Sequence, residues 1–200
     1  MRTKYKAWTK PYLEEHLEVQ VKEEDFSTIS DIYLEIGSGK GQFLLDMALK
    51  YPSRNFIGIE RNQTCAGFTA KKLVDNEVSN AKLIYMDAEK VLSEMKESSV
   101  NILYLNFSDP WPKTKHHKRR LTSERFCNLY KKVLKSDGVI IQKTDNLDLF
   151  NFSIETFKEN GFKILEEDRD YQVNEEDVVT EYEADFRKDN LPIYRIKVAK

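Results

Sequence analysis

Long apolar runs are absent from this 200-residue sequence: the longest falls well short of the roughly 18 residues of a membrane span. The first residues, Met1-Arg-Thr-Lys-Tyr-Lys-Ala-Trp8, also lack the apolar core of a signal peptide. Cysteine is scarce. Cys65 and Cys127 stand far apart without metal spacing, which argues against a disulfide framework and fits a reducing, cytoplasmic compartment. Both are expected to pack as small apolar side chains. Net charge is only -2, so bulk charge does not announce nucleic acid. No internal repeat or linker divides the chain, and its length suits one domain, 1–200, rather than two.

The distribution of charge is more informative than its sum. Arg2, Lys4, Lys6 and Lys10 fall in the first ten residues with no acid among them. Residues 111–120 carry five more bases, whereas residues 165–190 hold eleven acids against three bases. A chain so polarised can meet a polyanion on one face while its total stays slightly negative. Residues 1–22 interleave bases with Tyr5, Trp8 and Tyr12 without a clear period. They are expected to form a basic arm that orders on binding, or a short helix over 13–21.

From Ile32 the pattern becomes strand, glycine turn, helix. Ile32-Tyr-Leu-Glu-Ile36 reads as a strand and Gly37-Ser-Gly-Lys-Gly41 as a tight turn, after which Phe43, Leu44, Met47 and Ala48 fall at helical spacing. Further strands are predicted at 55–59, 82–86, 100–107, 139–144, 162–166 and 192–198. Helices are predicted at about 62–75 and 88–96. Another carries Phe126, Leu129, Tyr130, Val133 and Leu134 on one face, with Thr122 or Ser123 as N-cap and Gly138 as its stop. A last one carries Leu149, Phe150, Ile154 and Phe157 and runs to Gly161. No helical pattern separates the final two strands, which should therefore pair antiparallel; the segment between them, 169–191, is too long for a passive hairpin loop. The alternation defines an α/β fold: a seven-stranded, mostly parallel sheet with the last strand antiparallel and helices on both faces.

In such a sheet, ligands lie beyond the carboxyl ends of the strands. Acids gather there: Glu35 beside the first turn, Glu60 after the second strand, Asp87 after the third, Asp109 after the fourth and Asp145 after the fifth. An acid closing the second strand, about 20 residues past a glycine turn, suits both hydroxyls of a ribose. Asp87 is placed to accept from a donor on an adenine. The glycines are spaced G-x-G-x-G (Gly37, Gly39, Gly41) and followed by Gln42, unlike the G-x-G-x-x-G that seats a pyrophosphate. Negative charge at Glu35 would oppose a pyrophosphate but suits an adenosyl ligand bearing a sulfonium and an ammonium. S-adenosylmethionine is therefore favoured over NAD, and no Walker lysine pattern is present.

The fourth strand runs into Asn106-Phe-Ser-Asp-Pro-Trp-Pro-Lys-Thr-Lys-His-His-Lys-Arg-Arg-Leu121. A strand end that delivers an acid, an aromatic and then a basic run suits a place where a nucleobase meets chemistry. The plainer reading is a turn opened by Asp-Pro and a solvated basic face. Trp111 suits either stacking on a base or capping the core. His116 and His117 are adjacent and point apart, so they fit a phosphate-binding face better than a metal site; no metal is expected.

Together with that block, Glu35-Ile-Gly-Ser-Gly-Lys-Gly-Gln-Phe43, Gly58-Ile-Glu60, Lys143-Thr-Asp145, Thr180-Glu-Tyr-Glu183 and Pro192-Ile-Tyr194 resemble the bacterial tRNA (guanine-N7)-methyltransferases. The resemblance covers the chain from about Ile32 onward, so that 32–200 would be the catalytic core and 1–22 its basic arm. It implies methyl transfer from S-adenosylmethionine to N7 of the variable-loop guanine, position 46 of tRNA. It further implies that Glu35, Gly37, Gly39, Glu60, Asp87 and Asp109 meet the cofactor, with Asp109 the active-site acid. Lys113, Asp145, Thr180, Glu181, Tyr182 and Glu183 would meet the substrate, and Lys115, His116, His117, Lys118, Arg119 and Arg120 the RNA. The expected partner is tRNA, with no membrane, and the protein is expected to be a monomer or homodimer. The rival readings are a methyltransferase for another substrate and an RNA-binding protein with an inactive cofactor pocket.

Overall fold

The structure, a computed structural model, describes residues 3–200; Arg2 of the basic arm lies outside them. Seven strands make one sheet: β1 (Ile32–Ile36), β2 (Asn55–Glu60), β3 (Ala81–Tyr85), β4 (Val100–Asn106), β5 (Leu134–Thr144), β6 (Lys163–Asp168) and β7 (Tyr194–Ala199). Their order is β3-β2-β1-β4-β5-β7-β6. The first five run parallel, and β7 is antiparallel to both β5 and β6. The order reverses between β1 and β4, the point in an open α/β sheet where a ligand crevice forms.

Among the described residues, seven α-helices accompany the strands: α1 (Thr9–Glu15), α2 (Gln42–Lys50), α3 (Gln63–Asp75), α4 (Ala88–Glu94), α5 (Glu124–Val133), α6 (Leu147–Glu159) and α7 (Glu181–Lys188). The central strands are apolar nearly throughout because both faces are covered. Successive strand residues serve opposite faces. Leu34, Ile84 and Ile140 join a cluster with Val91 of α4, Phe126 and Tyr130 of α5 and Phe157 of α6. Leu83 and Ile141 join the other, with Leu13 of α1, Leu44 and Met47 of α2 and Leu73 of α3. Among the described residues, no helix is long and apolar enough to cross a membrane.

Three expectations need correction. First, the N-terminal helix is α1, Thr9–Glu15, followed by a single 3-10 turn at Leu17–Val19 rather than a helix over 13–21. Leu13 and Val19 are buried, so this part of the arm belongs to the fold. Second, α5 does not run to Gly138. It starts after Ser123 and gives way at Leu134 directly to β5. Residues 135–138 form a bulge, since Val100 faces Leu134 while Ile102 faces Val139. Gly138 permits it: a Cβ there would come within 3.0 Å of the Lys135 backbone. Third, the segment between β6 and β7 does contain a helix, α7. Its signature is Thr180-Glu-Tyr-Glu183, a capping box. The Thr180 hydroxyl accepts from the Glu183 N–H at 3.0 Å, and the Glu183 carboxylate reaches back to the Thr180 N–H.

Candidate active site

One cavity of about 460 Å³ opens over the carboxyl ends of β1, β2 and β4. Glycines shape its floor. Gly37 and Gly39 have φ of +78° and +57°, and a Cβ on either would project into open space, so the backbone turns here in a conformation that side chains rarely adopt. The Glu60 carboxylate fixes that turn from below, accepting from the Gly39 N–H at 2.9 Å and the Asn62 N–H at 2.7 Å. Burial raises the Glu60 pKa, with those backbone donors pulling it back. Each of its oxygens keeps lone-pair capacity for a hydroxyl.

Glu35 is deeper. Its Oε1 accepts from Asn106 Nδ2 at 3.0 Å, while Oε2 has no partner among the described residues. Burial pushes this carboxyl up to about 7, opposed mainly by the Asn106 hydrogen bond and the Lys143 charge. Asn106 Oδ1, Ser38 Oγ and Ser108 Oγ are likewise buried without partners, and all four residues line the cavity. Buried polar atoms left without partners are costly. Four of them around one hollow describe a cavity shaped for a ligand rich in donors and acceptors. Asp87 lies on the rim, where its Oδ1 caps α4 by accepting from the Glu89 N–H at 3.0 Å.

The loop after β4 supplies the opposite wall. Phe107 and Trp111 hold φ of +49° and +42°, costly for bulky residues, by about 1–3 kcal/mol each. They turn Ser108, Asp109 and Trp111 toward the cavity. The exposed Asp109 carboxylate enters no ion pair or hydrogen bond among the described residues. Trp111 is half-buried, with the Arg119 guanidinium 5.0 Å from its ring centroid and His116 edge-on at 5.8 Å. The basic stretch that follows is a 3-10 helix, Thr114–Arg119.

The third wall is the start of α7, with Thr180, Glu181 and Tyr182. It is held by a buried charge cluster that sequence reasoning missed. Lys143 Nζ donates to Asp177 Oδ2 and Glu183 Oε2, both at 2.8 Å, and to the Val178 carbonyl at 3.0 Å. Arg187 holds the other Glu183 oxygen at 2.7 Å. Lys72 and Lys40 pair with Glu181. The acidic segment is therefore fastened to the sheet by Lys143, to α3 by Lys72 and to the glycine turn by Lys40. A lysine inside the apolar run Val139-Ile-Ile-Gln-Lys143 was the signal available for it.

Of the residues named from sequence, Glu35, Gly37, Gly39, Glu60, Asp87, Asp109, Thr180, Glu181 and Tyr182 line this one cavity, and Arg119 joins them. Lys113 and Asp145 are exposed and outside its lining. Lys115 and Lys118 are exposed; His116 and His117 are half-buried. Two assignments fail on burial. Glu183 is fully buried and its oxygens are taken by Lys143 and Arg187, so it supports α7 and does not face a substrate. Arg120 is also fully buried: its Nε donates to the Pro110 carbonyl at 2.8 Å and its Nη2 to Asp148, which ties the Asp109 loop to α6 instead of reaching RNA.

The family described as "Putative methyltransferase" matches residues 30–196. A solved structure from Aquifex aeolicus, described as a SAM dependent methyltransferase, shares the fold with a TM-score of 0.60 at 11% identity, covering 98% of both chains. Sheet order, crevice and glycine turn thus define a Rossmann-like methyltransferase fold. Closer relatives narrow the class. The tRNA (guanine-N(7)-)-methyltransferase of Oenococcus oeni is 40% identical over 99% of both chains. That of Oceanobacillus iheyensis is 39% identical over 100% of this chain and 99% of its own. The chain belongs to the tRNA (guanine-N7-)-methyltransferase family.

Proposed function

We propose that this protein transfers a methyl group from S-adenosylmethionine to N7 of a tRNA guanine, the variable-loop guanine at position 46. The observation that carries the reading is the cavity at the β1–β4 crevice, ringed by Glu35, Glu60, Asp87 and Asp109 and holding four buried polar atoms without partners. Glu35 and the Gly37–Gly39 turn would hold the amino-acid end of the cofactor, Glu60 the ribose and Asp87 the adenine. The cofactor supplies an electrophilic methyl on a sulfonium.

N7 of guanine is an unprotonated acceptor, so no base has to remove a proton before it attacks. The residues have to hold nitrogen, methyl and sulfur in line, and such positioning is worth up to about 7–11 kcal/mol. Asp109, exposed at the cavity beside Trp111 and Tyr182, orients the base or the cofactor. Trp111 offers a stacking face, and Thr180, Glu181 and Tyr182 close the substrate side. Lys113 and Asp145 contact tRNA outside the cavity. Lys115, His116, His117, Lys118 and Arg119 meet phosphates. The acids around the cavity favour this over an RNA-binding protein with a lapsed pocket, because a lapsed pocket would not keep unpaired buried groups. The test is label transfer from methyl-labelled cofactor to an unmodified tRNA transcript and to its variant with adenine at position 46. Label on the first and none on the second is expected; equal labelling of both would refute the position.

A further inference from the structure

The arm ahead of α1 plays no part in the reaction as proposed, yet it is fastened beside the cavity. The Lys6 N–H donates to Thr64 Oγ1 at 3.2 Å, Thr9 Oγ1 donates to the Lys6 carbonyl at 2.7 Å, and Gln63 Nε2 donates to Thr9 Oγ1 at 3.3 Å. Trp8 meets Phe68 edge-on at 5.1 Å. The approach of α1 to α3 depends on Gly67, where a Cβ would lie 2.3 Å from Thr9 Cβ. Further out, Thr3 Oγ1 is 3.4 Å from Cys65 Sγ, and Cys65 lines the cavity.

Lys4, Tyr5 and Lys6 therefore run along the cavity's edge on the α3 side. All three are exposed, Tyr5 by 70%, and neither lysine enters an ion pair among the described residues. The basic stretch Thr114–Arg119 follows β4, which flanks β1 on the side away from β2 and α3. Two basic segments thus bracket the cavity mouth from opposite sides. An exposed ring between two unpaired cations suits a backbone that carries both phosphates and stackable bases.

We propose that Lys4-Tyr5-Lys6, docked on α3, is a second RNA-binding rail, so that the nucleic acid lies across the cavity mouth between it and the Thr114–Arg119 stretch. The inference rests on the tRNA reading above. It predicts that Lys4→Ala/Lys6→Ala lowers the slope of log affinity against log salt by about 1.4–1.8, two phosphate contacts' worth. The KM for tRNA rises and kcat at saturating tRNA is unchanged. Tyr5→Ala should weaken binding about fivefold or more with the slope intact. The experiment is fluorescence anisotropy of an unmodified tRNA transcript over about 50–200 mM KCl, with Lys115→Ala/Lys118→Ala as the reference variant. An arm variant indistinguishable from wild type while the reference variant loses slope would overturn the rail and leave the tRNA reading standing. Wild-type protein that binds no transcript would overturn both.

Discussion

Replacing Lys143 with methionine is the sharpest perturbation of the framework that holds the site. Lys143 is 1% exposed and sits 2.8 Å from both Asp177 and the fully buried Glu183. Breaking a buried pair by removing one partner costs about 3–5 kcal/mol, because the other charge stays desolvated. Arg187 still holds Glu183 at 2.7 Å, which places Lys143→Met near the lower end, at about 3 kcal/mol. For a chain of this length that is a fall in Tm of about 6–12 °C, read by circular dichroism at neutral pH and confirmed by urea unfolding. Removing the charge left behind should recover stability: Lys143→Met/Asp177→Asn is expected to be more stable than Lys143→Met, since the Glu183–Arg187 pair survives. The loss should also loosen Thr180, Glu181 and Tyr182 at the cavity wall and raise the KM for tRNA. A single variant within about 1 kcal/mol of wild type, or a double variant no better than the single, would refute the claim that this cluster holds the acidic segment in place.

Three further outcomes are expected. Asp109→Asn should lower the single-turnover methylation rate while tRNA affinity stays nearly unchanged; an unaltered rate would remove Asp109 from the chemistry. Glu35 is held protonated in the folded protein up to about pH 7, against 4.5 for an unburied carboxyl. Folding therefore takes up a proton between those values, and stability of the cofactor-free protein should decline as pH rises from 4.5 to about 7, then level off. Urea unfolding across that range should show the decline in wild type and lose it in Glu35→Gln. Arg119→Ala should lower the salt slope of tRNA binding by about 0.7–0.9, whereas Arg120→Ala should leave the slope and lower Tm, because only Arg119 is exposed. The reverse pattern would mean the two arginines had been assigned wrongly.

Sequence pattern exposed the sheet and the ring of acids because both depend on local chemistry. An apolar strand followed by Gly37-Ser-Gly or by Asp-Pro can be read from neighbouring residues alone. What escaped depends on distant partners. Lys143 stands 34 residues from Asp177 and 40 from Glu183, and although a lysine in that strand is conspicuous, nothing near it says which acids it meets. Arg120 looked like one base among five, and its burial is set by Pro110 and Asp148. The Thr180-x-x-Glu183 capping box is legible in the sequence, but reading its acids as substrate groups hides the helix start that they mark. Gly138 carried a stop signal that the bulge in β5 used for another purpose.

Chemistry on the product reads the methylated atom and its position in one step. Unmodified tRNA is incubated with this protein and S-adenosylmethionine, reduced with borohydride and treated with aniline, which breaks the chain at 7-methylguanine. A single cleavage at the variable-loop guanine, absent when cofactor is withheld, is the predicted result. Uncleaved tRNA, or methyl groups incorporated without any break in the chain, would contradict it.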